Sequence, residues 1–115
     1  MAAYMVKAPT PIERMEGDDS EIEILVPTAF DMAGRTVRMQ VRSTTGDLLF
    51  AKSTTTGGGI TLAGQMIKIT ILPADTLHKH GSHLWEMEVQ NEADGIVTIA
   101  NGPFKIRRQT CIVLK

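Results

Sequence analysis

The residues with the types and spacing for chemistry in this chain lie in one short run, HKHGSH at 78–83. In an extended segment, side chains two apart share a face, so His78 and His80 could close on a transition-metal ion with Asp75 as an oxygen donor and His83 nearby. The run sits between a proline-initiated turn at Pro73 and Gly81, however, and that setting reads as a solvated loop. Ser82, a histidine and Asp75 make a nucleophilic triad only on paper, because the strand-to-helix elbow and flanking glycines of a serine hydrolase are missing. Gly57-Gly58-Gly59 lacks the GxxxxGK[ST] pattern and a following helix, and reads as a flexible connection rather than a phosphate cradle. Cys111, among Thr110, Ile112 and Val113, reads as a small buried hydrophobe. These readings assign no catalytic, cofactor-binding or metal-ligating residue, and no cofactor.

The bulk composition narrows the partners. A net charge of -1 opposes nucleic-acid and acidic-membrane binding, which call for a basic face. Lys105, Arg107, Arg108 and Lys115 make a small basic group, but strand alternation sends Arg107 and Arg108 to opposite faces. An aromatic content of 4% leaves few platforms for stacking bases or sugars. A single cysteine excludes an intramolecular disulfide, so packing must hold the fold. No run approaches the ~20 apolar residues that span a bilayer, and no basic segment followed by an apolar run opens the chain. The expectation is one domain made in the cytoplasm without an export signal of the usual kind.

The elements that must position these residues read as strands. Alternation puts Ile22, Ile24 and Val26 on one face of 21–26, and Val37, Met39 and Val41 on one face of 36–43. A Thr45-Gly46-Asp47 turn leads to a hairpin partner at 48–52. Residues 53–59 read as a loop, 60–62 and 66–72 as strands around Gly64, and 73–77 as a single helical turn. From 82 to 110 the pattern is a three-strand meander: Trp85, Met87 and Val89 face inward, and Asp94-Gly95 and Asn101-Gly102 supply two tight turns. Residues 110–115 suit a final strand or, equally, a terminus buried against another subunit. The expected architecture is all-β, an Ig-like antiparallel β-sandwich over 21–115 with Trp85 as core anchor, preceded by an extended N-terminal arm over 1–20. The alternative for the arm is a short edge strand at Tyr4, Met5 and Val6.

The order of TVRMQVRSTTGDLLFAKST, then ITILPADTLHKHGSHLWEMEVQNEADGIVTIANGPFKIRRQT, resembles the small Ig-like β-sandwich proteins of tailed-bacteriophage particles, including N-terminal domains of some baseplate proteins. The Gly46-Asp47 turn before Leu48-Leu49, the Pro73-Ala74-Asp75-Thr76 stop and the Leu84 to Val89 strand carry the likeness, which spans about residues 21–110. Such proteins usually carry a tyrosine where this chain has Trp85. The resemblance implies a non-enzymatic structural component of the virion, in the tail, baseplate or a head accessory layer. It also implies a homo-oligomer that contacts other virion proteins and binds neither nucleic acid nor membrane. A host-surface glycan-binding module of the particle is the alternative.

Overall fold

A computed structural model of the chain describes residues 11–26, 32, 34–91 and 95–108. Eight strands and one helical turn follow in order: β1 (Ile12–Met15), β2 (Ser20–Leu25), β3 (Thr36–Ser43), β4 (Leu48–Ser53), β5 (Ile60–Ala63), β6 (Met66–Ile71), α1 (Pro73–Thr76), β7 (Gly81–Asn91) and β8 (Gly95–Arg107). They form a five-stranded sheet in the order β1-β8-β7-β3-β4 and a three-stranded sheet in the order β2-β6-β5. All pairings are antiparallel except β1 with β8, where Ile12 lies opposite Phe104 and Met15 opposite Arg107. This order, with the first strand laid parallel beside the last, is that of an Ig-like β-sandwich.

Alternation in the sequence places the core. Val37, Met39 and Val41 of β3, Ile67, Ile69 and Ile71 of β6, and Met87 and Val89 of β7 are fully buried. Trp85 is 2% exposed, as expected of the anchor, and Phe50 meets Phe104 edge to face with centroids 5.8 Å apart. In the three-glycine stretch, Gly57 has a positive φ of 79°, while close approach explains the other two. A side chain at Gly58 would run into Ser53, and one at Gly59 (φ 89°) would stand 2.9 Å from Cδ of Lys52.

Two expectations change. Within the residues expected to form an arm, 12–15 are a strand at the sheet edge and Ser20 already belongs to β2, so residues 12–15 and Ser20 are part of the sandwich. Ile12 is buried, which supplies the reason: an edge strand lacking sequence periodicity still gains ladder bonds and one core contact. Residues 1–10, with the alternative strand at Tyr4, Met5 and Val6, lie outside the described residues, as do Asp94, Cys111 and the expected strand at 110–115.

The second change concerns Asn101-Gly102, which is no turn, because β8 runs unbroken through it. Met87 pairs with Ala100 but Glu88 pairs with Thr98, so Ile99 is an extra residue, a β-bulge. The bulge turns both Ile99 and Ala100 inward, at 4% and 1% exposure. Gly102 lies directly opposite Trp85 in the ladder. The eleven residues of β7 provide a ladder partner long enough to hold the glycine extended.

Candidate functional site

The residues with metal or nucleophile character lie in and just after α1, where Asp75 and His83 have structural partners. Pro73 opens the helical turn, and the Asp75 carboxylate accepts a hydrogen bond from the Leu72 N–H at 2.7 Å. The same oxygen, Oδ2, lies 2.6 Å from Lys52 Nζ, in an ion pair whose side chains are 17% and 8% exposed. Asp75 thus ties α1 to β4 and is not a free oxygen donor. Fully buried Thr76 accepts a hydrogen bond from the Gly17 N–H at 2.9 Å, and the His78 N–H donates to Glu16 Oε2 at 2.9 Å. Two hydrogen bonds therefore fasten the β1–β2 connection to α1 and the segment that follows it.

The three histidines do not converge. His78 and His80 are exposed on the connection to β7, and His78 has a positive φ of 63°. His83 is not a loop residue: it lies in β7 opposite Phe104, half-buried, with Nε2 2.8 Å from the Lys79 carbonyl. Lys79 in turn donates from Nζ to the Leu49 carbonyl at 3.0 Å. Ser82 is exposed on the opposite face of β7 from His83, so a triad through these two cannot form. Among the described residues, no group of three His, Cys, Asp or Glu side chains is placed to hold a metal ion.

The other candidate surface lies on the outer face of the five-stranded sheet, and sequence reasoning passed over it. A shallow depression of about 500 Å³ runs between Arg42, Leu84, Glu86, Asn101 and Pro103. Leu84 is 53% exposed and Leu48 50% exposed. The ladder aligns them in one row across the strands: Pro103 opposite Leu84, Leu84 opposite Arg42, and Arg42 opposite Leu48. Charges frame the row, with Arg38 paired to Glu88 at 3.1 Å and Arg107 to Glu13 at 2.9 Å. The outward alternation of each strand was legible; the row depends on register between strands, which was not.

No protein-family model matches the chain, and no curated protein matches it by sequence. Among solved structures, it is similar to a chain of the ZIG-8–RIG-5 IG1–IG1 heterodimer, at 12% identity over 88% of this chain and 84% of that one, with a TM-score of 0.48. A chain of Drosophila OTK extracellular domains 3–5 is similar at 16% identity over 93% of this chain and 35% of that one, with a TM-score of 0.43. The extracellular domain of the voltage-gated sodium channel β4 subunit, described as a parallel homodimer in cell–cell adhesion, is similar at 14% identity over 95% and 99% of the two chains, with a TM-score of 0.40. Likeness at this level does not extend to partner or activity.

Proposed function

We propose that this chain is a non-enzymatic structural component of a tailed-phage virion, in the tail, baseplate or a head accessory layer, where it acts as a subunit–subunit interaction module after synthesis in the host cytoplasm. The virion setting rests on the strand-and-turn resemblance alone. The module reading is carried by one observation: the outer face of the five-stranded sheet exposes Pro103, Leu84 and Leu48 in a row broken only by Arg42, inside a charged frame. An exposed apolar patch rimmed by polar groups is the usual mark of a protein contact. The groups that could have done chemistry support the same reading, since Asp75, Thr76 and His83 are engaged in holding loops to strands.

The test is recovery of the chain, in fixed ratio to the major structural proteins, from purified phage particles. Its absence from particles made in cells that express it overturns the proposal. A host-surface glycan is the second reading, favoured by polar Gln40, Glu86 and Asn101 around the depression. Among the described residues it lacks an exposed aromatic ring for stacking, since Trp85, Phe50 and Phe104 are buried, and a glycan array with the purified chain tests it directly.

A further inference from the structure

We infer that the outer face of the five-stranded sheet binds a second copy of this chain through a two-fold axis that runs across the strands along the Leu84–Pro103 row. This rests on the reading of the chain as an interaction module and names the partner of that face.

The register makes the face self-complementary. From Leu84, β7 continues outward-facing through Glu86 to Glu88; from Pro103, β8 continues outward-facing through Lys105 to Arg107. Because the strands are antiparallel, the acidic run and the basic run leave the apolar pair in opposite directions. A two-fold axis along the row reverses direction along the strands while keeping the row in place. It therefore sets Leu84 and Pro103 against their own counterparts, lays β7 over β7 and β8 over β8, and brings each copy's Glu86 and Glu88 level with the other's Lys105 and Arg107, one strand spacing aside. Such an isologous contact has the usual anatomy of an apolar centre inside a charged rim.

Two further observations fit this occupant. Glu88 and Arg107 already have intrachain partners, whereas Glu86 and Lys105 have no ion-pair partner among the described residues. Within one chain those two stand four ladder levels apart, about 14 Å, too far to pair with each other. Arg42, the cation in the row, is turned aside onto the Gly46 carbonyl at 3.1 Å and Gln40 Oε1 at 2.9 Å, so its guanidinium need not oppose its own counterpart.

Analytical ultracentrifugation of the full chain, across micromolar concentrations at low and high salt, tests the inference. The parent chain is expected to dimerise, less tightly at high salt. E86K alone and K105E alone each place like charges together twice per dimer and should weaken association by about tenfold or more. E86K/K105E in one chain should restore it, and so should an equimolar mixture of the two single variants, because each then meets its opposite. A parent dimer that neither swap disturbs, or single losses that neither the double variant nor the mixture repairs, would overturn the inference while leaving the module reading standing. A parent chain that stays monomeric would also overturn it and hand the face to another occupant, either segment 1–10 or a different virion protein. Failure of the virion reading shows separately, as a chain that dimerises as described yet is absent from particles.

Discussion

Replacing Lys52 by Met tests whether the ion pair to Asp75 is an internal staple or a surface contact. Lys52 reaches from β4 to the helical turn, with its side chain 8% exposed and Nζ 2.6 Å from Asp75 Oδ2. Methionine keeps most of the stem volume beside Phe50 and removes only the charge, leaving the carboxylate with the Leu72 N–H as its one remaining partner among the described contacts. Removing one partner of a fully buried pair costs about 3 to 5 kcal/mol. Asp75 is 17% exposed, so water recovers part of that, and the expected loss is about 2 to 3 kcal/mol. Asp75→Asn keeps an acceptor for the Leu72 N–H while stranding the lysine, and a loss of about the same size follows. The double variant removes both charges and should cost clearly less than the sum, with a coupling of about 1 to 2 kcal/mol. Urea denaturation of the four proteins, extrapolated to water with unchanged slopes, reads these values. Single losses under about 0.5 kcal/mol that simply add would show that solvent already screens the pair, and would refute the reasoning.

Trp85→Ala removes the largest fully enclosed side chain and should cost about 3 to 5 kcal/mol in the same assay; a loss below about 1 kcal/mol would mean that the indole is not a core anchor. His78→Asn with His80→Asn should leave stability within about 0.5 kcal/mol, helped by the tolerance of asparagine for the positive φ at 78, whereas His83→Asn should cost about 1 to 2 kcal/mol through its contact with the Lys79 carbonyl and its place opposite Phe104. Equal effects at all three positions would contradict the division between connection and strand. Deleting residues 1–19 strips β1 from β8 together with the Glu16 and Gly17 hydrogen bonds, and the thermal midpoint should fall by about 5 °C or more; an unchanged midpoint would show that β1 contributes nothing to the sandwich.

The sequence by itself determined which face of each long strand is buried. Val37, Met39 and Val41, then Ile67, Ile69 and Ile71, then Trp85, Met87 and Val89 recur at a period of two, and that period is a local property which any chain neighbour can register. The turn at Gly46 and the stop at Pro73 were legible for the same reason, since each depends on the backbone preference of one or two residues. Only the tertiary structure decided the rest. Residues 12–15 carry no pattern and became a strand because β8 offered an open edge. Asn101-Gly102 has the signature of a hairpin turn, yet pairing with Glu86 and Trp85 of β7 kept it extended. His83 left the expected loop for the strand, and Asp75 found Lys52 across the end of the sandwich. The row from Pro103 through Leu84 and Arg42 to Leu48 joins residues from four strands, and its opposed acidic and basic runs exist only at this register. Pairing between distant segments is a free-energy balance over the whole molecule, and a local sequence pattern holds no record of it.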